Sequence, residues 1–136
     1  MLGKPVSFSI PSDTGDLVTI PPPGAKATVL DFWAPTCEPC RESVPALLAK
    51  KPELEAKGAR LFLVGVLADG ESTEDGRAAL ASWGVQSPFL VDRGGVAQAE
   101  AGVRELPATL VLDAQGVATW VMPDGASADD VVGAVP

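Results

Sequence analysis

The sequence predicts an α/β fold, a mixed central β-sheet flanked by helices, and three observations carry that prediction. Strand-like apolar runs alternate with helix-like segments through the middle of the chain. Two of these runs, residues 27–33 and 60–67, are apolar almost throughout, as strands covered on both faces are. A strand pair with a tight-turn signal and a last helix then close the chain, which adds antiparallel members to the sheet.

Each element has a local reason. Residues 6–10 and 17–20 are short β-like runs separated by Pro11-Ser12-Asp13-Thr14-Gly15-Asp16, and so predict an N-terminal β-hairpin. Pro21-Pro22-Pro23-Gly24 cannot continue a strand and is a stiff connection into the run at 27–33. A helix is expected over 37–50, with Val44, Leu47 and Leu48 on one side. Pro52 should end or kink it before a further turn of helix that Gly58 caps. After the strand at 60–67, Thr73 reads as the N-cap of a helix over 73–83, with Glu74 and Asp75 placed favourably for its dipole. A short strand over 87–91 and a short helix over 95–101 follow. Strands at 108–112 and 117–121 flank the turn Asp113-Ala114-Gln115-Gly116, and Ser127 caps the final helix.

Composition excludes whole classes of chemistry. The 136 residues include no histidine and no tyrosine. A Ser-His-Asp or Cys-His pair, an HExxH zinc site and an imidazole base are therefore ruled out. Two cysteines cannot complete a four-ligand zinc site within one chain, and neither a metal nor a cofactor is expected. One domain over residues 1–136 is the expectation for this length. The net charge is −8 with no Lys/Arg cluster, which argues against nucleic acid as a partner. The charge is uneven: residues 1–68 carry seven basic and seven acidic side chains, and residues 69–136 carry three and eleven. A solvated acidic face accounts for this, and a surface steering a basic partner is the sharper alternative. No run approaches the roughly 18–20 apolar residues of a membrane span, and no signal-peptide pattern precedes the first strand.

The chemistry concentrates at Cys37-Glu38-Pro39-Cys40, after a buried strand and at the start of a helix. The unpaired amides and partial positive charge of a helix N-terminus favour thiolate over thiol at Cys37. Cys40, one turn on, can close the ring that expels a bound substrate. Three plainer readings compete. A structural disulfide here would close a very small loop and restrain the unfolded chain little. A four-cysteine metal centre would need a second copy of the chain. Two ordinary buried cysteines could fall at this spacing by accident. A redox pair is the reading on which strand, motif and helix agree.

The segment Asp31-Phe32-Trp33-Ala34-Pro35-Thr36-Cys37-Glu38-Pro39-Cys40-Arg41 resembles the active-site segment of the thioredoxin superfamily. Leu106-Pro107-Ala108-Thr109-Leu110-Val111-Leu112 resembles its downstream segment, whose proline is cis. Gly3-Lys4-Pro5 with the hairpin, and the extra strand at Ser87-Pro88-Phe89-Leu90-Val91-Asp92, are similar to the TlpA/ResA-like thiol-disulfide oxidoreductases. The resemblance implies a thioredoxin-like fold with an N-terminal hairpin and a central strand-helix insertion.

It also implies roles. Cys37 attacks a substrate disulfide and Cys40 resolves the mixed disulfide. Asp31, costly inside an apolar strand unless partnered, would take the proton of Cys40; an aspartate at a strand end facing water is the alternative. Pro107, if cis, would turn Leu106 toward the cysteines to pair with an extended substrate, against the plainer reading of a strand-start proline. Trp33, Thr36, Glu38 and Pro39 complete the candidate substrate-contacting set, with Trp33 more a packing group than a chemical one. Pro45 should bend the helix.

Three positions depart from the subgroup's pattern. Thr36 replaces the usual tryptophan before the first cysteine, Ser43 stands where glutamate is common, and Asp31 where asparagine is. Glu38 should oppose thiolate formation by like-charge repulsion and make the couple less oxidising. A peroxiredoxin site is not met, because Pro35 and Thr36 do not fall at that family's offsets from either cysteine. The expected function is a protein-disulfide reductase, monomeric, fed by an upstream membrane electron donor and acting on disulfide-containing proteins. Cytochrome c biogenesis is the subgroup's best-known task. The alternatives are an oxidase or isomerase of the same fold, or a non-catalytic binding or metal-carrier module. The expected compartment is extracytoplasmic, the bacterial periplasm or outer membrane face, with an export or anchor segment absent from this chain; it is cytoplasmic if Met1 is the native start.

Overall fold

The apolar run at 27–33 becomes β3 (Ala27–Trp33), the middle strand of the main sheet, with every residue buried. The computed structural model describes residues 2–136. β1 (Phe8–Pro11) and β2 (Leu17–Ile20) form the N-terminal hairpin, a two-stranded sheet of their own. The five-stranded sheet adds β4 (Ala59–Leu67), β5 (Leu90–Arg93), β6 (Ala108–Asp113) and β7 (Ala118–Val121) in the order β5-β4-β3-β6-β7. β3, β4 and β5 run parallel, whereas β6 and β7 are antiparallel additions, so the sheet is mixed as predicted. Gly116, at φ +86°, closes the β6–β7 turn in a conformation that L side chains rarely adopt. The β6–β7 ladder shifts register between Val111 and Leu112.

Among the described residues five helices complete the fold: α1 (Cys40–Leu48), α2 (Lys51–Ala56), α3 (Thr73–Ser82), α4 (Val96–Glu100) and α5 (Ala128–Ala134). The two-residue period of a strand divides β3 between two cores. Leu30 and Phe32 face a core with Val64, Leu110 and Leu112 that the hairpin covers through Ile20 and α4 through Ala97, with Ala101 just past its end. Val29 and Trp33 point the other way, toward Cys40, Val44 and Leu47 of α1, Leu54 of α2, Leu80 of α3 and Val131 of α5. The face under α1 is the one that matters for the chemistry.

Several boundaries differ from the sequence expectation, each for a hydrogen-bonding reason. α1 begins at Cys40 rather than Cys37, because residues 37–39 are folded into turns. The N-cap of α3 is Ser72, not Thr73: its hydroxyl accepts from the Asp75 amide at 3.1 Å, and the Asp75 carboxylate accepts the Ser72 amide at 2.8 Å. β5 starts at Leu90 rather than 87, since Phe89 pairs with the hairpin turn instead of β4. Its carbonyl accepts the Asp13 amide at 2.8 Å, and its own amide donates to Asp13 Oδ1 at 3.4 Å. Pro52 lies in the first turn of α2, where a missing amide is harmless. Ser127 precedes α5 as predicted, its amide donating to the Asp130 carboxylate at 2.8 Å.

Candidate redox site

β3 ends at Trp33, and the chain turns sharply into α1. The Cys37 amide donates to the Ala34 carbonyl at 3.0 Å, and the Cys40 amide to the Cys37 carbonyl at 3.2 Å. Pro39, which has no amide to leave unsatisfied, stands immediately before the first helical residue. These turns bring Cys37 back over the helix start, where it is joined to Cys40 as a disulfide with a Cα–Cα separation of 5.3 Å. The two sulfur-bearing residues are not equivalent. Cys40 is 0% exposed and belongs to the core beneath α1, while Cys37 is partly exposed at its edge. Of the two, Cys37 is the one that presents surface to solvent.

Asp31 lies in the middle of β3, on the same face as Val29 and Trp33, and hence on the face that α1 covers with Cys40 and Val44. It is 1% exposed, so it does not face water at a strand end. Thr109 stands directly opposite in the β3–β6 register and donates its hydroxyl to Asp31 Oδ1 at 3.1 Å. Asp31 Oδ2 has no hydrogen-bond partner among the described residues. Burial pushes the carboxyl up to about 7, and the Thr109 hydrogen bond pulls partly against that rise.

Trp33 corrects a sequence expectation. It is 0% exposed, with its ring edge-on to Trp83 and Phe89 at centroid separations of 5.7 and 5.4 Å. A side chain without exposed surface offers nothing to a docking chain, and Trp33 instead walls the core beside Cys40. Gly65, its neighbour on β4, leaves the room: a Cβ there would sit 2.8 Å from Trp33 Cζ2.

The remaining candidates are accessible. The Leu106–Pro107 peptide is cis, and Pro107 precedes Ala108, which pairs with Phe32. The proline is thus at the end of the sheet where β3 enters the motif, and both Leu106 and Pro107 are partly exposed. Thr36, Glu38 and Pro39 are exposed on the turn. Glu38 reaches Arg41 Nε at 3.4 Å in a surface ion pair. Pro45 falls inside α1. Beside the motif a groove of about 290 Å³ runs between α1 and the β7–α5 segment, lined by Pro39, Glu42, Ser43, Thr109, Met122 and Ser127 among others. Thr109 is the site residue that the sequence reading missed. Its signal was its place two residues after Pro107, which antiparallel pairing can set against Asp31. Among the described residues no three His, Cys, Asp or Glu side chains cluster to hold a metal.

The fold and this site together define a thioredoxin-like domain with a C-x-x-C disulfide. The chain belongs to the AhpC/TSA family, whose model matches residues 3–121. The thioredoxin-like protein YneN of Bacillus subtilis is 30% identical over 110 residues, which are 81% of this chain and 64% of that protein. Thiol-disulfide oxidoreductase ResA of the same organism is 24% identical over 110 residues, 81% of this chain and 60% of ResA. The chain thus spans about three fifths of the length of these curated relatives. The same fold is found in StoA from Bacillus subtilis, with a TM-score of 0.80 at 18% identity, covering 98% of this chain and 99% of StoA. It is found again in the pneumococcal exposed lipoprotein thioredoxin Etrx1 of Streptococcus pneumoniae, with a TM-score of 0.76 at 22% identity over 96% and 98% of the two chains.

Proposed function

We propose that this domain is a thiol-disulfide oxidoreductase that works as a reductant of disulfide-containing proteins. The observation that carries the reading is the asymmetry of the disulfide: a reachable Cys37 is bonded to a wholly buried Cys40 on the Asp31 face. In the reduced domain the Cys37 thiolate attacks the substrate disulfide, forms a mixed disulfide and releases one substrate thiolate. Cys40 then gives its proton to the Asp31 carboxylate and attacks Cys37 Sγ, expelling the second substrate thiolate. The substrate has gained two electrons, and Cys37–Cys40 is oxidised. A membrane electron donor outside this chain returns the two electrons.

Leu106, Pro107, Thr36, Glu38 and Pro39 form the rim against which an extended substrate lies. The domain acts as a monomer outside the cytoplasm, a placement supported by its likeness to the pneumococcal exposed lipoprotein. No helix among the described residues is long and apolar enough to cross a membrane, so any tether lies outside the helices seen here. Because Thr36, Ser43 and Asp31 depart from the ResA-like pattern, the substrate class is left at disulfide-bearing proteins in general, with apocytochrome c as one member to test.

Trapping tests the reading. Cys40→Ser should accumulate mixed disulfides through Cys37 that reductant releases, and Cys37→Ser should accumulate none. A Cys40→Ser protein that traps nothing from a periplasmic extract overturns it. A midpoint potential well above about −200 mV would reverse the direction, making the domain an oxidase.

A further inference from the structure

Asp31 is sealed from solvent, yet the reading above has it gain and lose a proton in every cycle. A proton held there needs a route out. Two observations mark the route. Thr109 Oγ1 donates to Asp31 Oδ1 at 3.1 Å from the position directly across the β3–β6 ladder, and Thr109 is itself only 4% exposed. The same threonine lines the groove of about 290 Å³ between α1 and the β7–α5 segment. That volume has room for several waters at about 30 Å³ each. Ser43 also lines the groove, its Oγ buried beneath that lining without a hydrogen-bond partner among the described residues.

We propose that Thr109 is a positioning and proton-relay residue: its hydroxyl fixes the Asp31 carboxyl and connects it to water in the groove beside α1. The inference rests on the role given to Asp31 under the proposed function. After Cys40 has protonated Asp31, the carboxylic O–H donates to Thr109 Oγ1 while the hydroxyl's own proton passes to a groove water. One O–H bond forms at Oγ1 and one breaks. The hydroxyl is neutral before and after, the carboxylate is regenerated, and no electrons move.

The surroundings leave this path largely free of competing charges. Toward Asp31, α1 presents Cys40 and Val44, β4 presents Leu63 and β6 presents Thr109. The charged groups near the groove are Glu42 on α1 and Asp129 and Asp130 in the first turn of α5, all exposed. Asp129 is paired with Lys50 at 2.6 Å, and Asp130 accepts the Ser127 amide.

The test uses the reduced chain and 5,5′-dithiobis(2-nitrobenzoate), whose second thiolate release reports resolution of the Cys37 mixed disulfide by Cys40. Rates are followed by stopped flow from pH 5 to 9 for wild type, Thr109→Val, Thr109→Ser and Asp31→Asn. Thr109→Val should move the midpoint up by about one pH unit, which is about tenfold in carboxylate fraction below the midpoint. Thr109→Ser should stay near wild type, because it keeps the hydroxyl. If Thr109→Val overlays wild type while Asp31→Asn removes the pH-dependent limb, the relay is wrong and the role of Asp31 survives. If Thr109→Ser is displaced as far as Thr109→Val, the residue is only structural, and the proposal again falls. If Asp31→Asn also overlays wild type, the underlying reading of Asp31 fails first. Should Thr109→Val not fold, Thr109→Ala is read the same way, and its agreement with Thr109→Ser overturns the relay.

Discussion

Replacing Asp31 by asparagine should stabilise the oxidised domain, and by more as the pH rises. The folded protein pushes Asp31 up to about 7 from its ordinary 3.8, so the native state holds this proton more tightly than the unfolded chain does. Below about pH 3 the group is protonated in both states and costs nothing. Its cost grows as the pH climbs from 4 to 7, because ionisation is easier in the unfolded chain, and it is constant above that window. A displacement from 3.8 to about 7 corresponds to a plateau near 4 kcal/mol at about 1.4 kcal/mol per pH unit. Of this, about 3 kcal/mol accrues between pH 5 and pH 8. Asparagine has nearly the same shape, cannot ionise, and keeps a carbonyl oxygen for the Thr109 hydroxyl. Urea unfolding of the two oxidised proteins at pH 5, 6, 7 and 8 gives the comparison, and the other carboxylates cancel because both chains share them. The stability gap should widen in favour of Asp31→Asn by about 3 kcal/mol across that range. A gap that stays constant with pH would refute the argument that Asp31 is buried at the cost of its charge.

Other expectations follow from particular contacts. Gly65→Ala would place a Cβ 2.8 Å from Trp33 Cζ2 and 3.2 Å from Phe89 Cδ2, so urea melts should show a loss of about 1–3 kcal/mol. An unchanged midpoint with unchanged tryptophan fluorescence would mean the Trp33 wall is looser than described. Ser72→Ala should cost about 1 kcal/mol in the same assay and Thr73→Ala clearly less, since Ser72 alone caps α3; equal losses would contradict that assignment. Glu38→Gln removes a charge beside Cys37, and iodoacetamide should then alkylate the reduced Cys40→Ser protein about twofold faster at pH 7 and low salt. The same twofold difference persisting in 1 M salt would point to a cause other than charge.

Much of the architecture was legible because the strong signals are local. A seven-residue run, apolar but for Thr28 and Asp31, reads as a strand covered on both sides, and Asp113 to Gly116 reads as a turn. The elements misplaced by a few residues are those whose ends are settled by partners distant in sequence. Phe89 is claimed by Asp13, 76 positions earlier, and so cannot open β5. Cys37 falls outside α1 because its amide turns back to Ala34, a choice that helix propensity does not register. The site shows the same division. Cys37 and Cys40 announce themselves by spacing, whereas Thr109 becomes meaningful only once β6 is known to pair with β3 in a register that sets it against Asp31. Trp33 sits close to the motif in sequence, but Gly65 of β4 and Phe89, just before β5, decide that it is buried.

The register shift in the β6–β7 ladder has a consequence for how this domain tolerates change. Leu112 pairs with Ala118 and Val111 with Trp120, so Thr119 is a supernumerary residue on the outer strand. The inner ladder, from Ala27 opposite Asp113 to Phe32 opposite Ala108, runs without interruption. Were β6 to slip by a single residue, Ala108 or Leu110 would face the carboxylate in place of a hydroxyl, and every inward side chain would turn outward. The bulge works as an expansion joint. Length changes belong in the exposed turn at residues 114–115, where grafted loops should be accepted while the Asp31–Thr109 pair keeps its alignment; β7 itself is held on its outer side by backbone hydrogen bonds to Gly3 and Lys4.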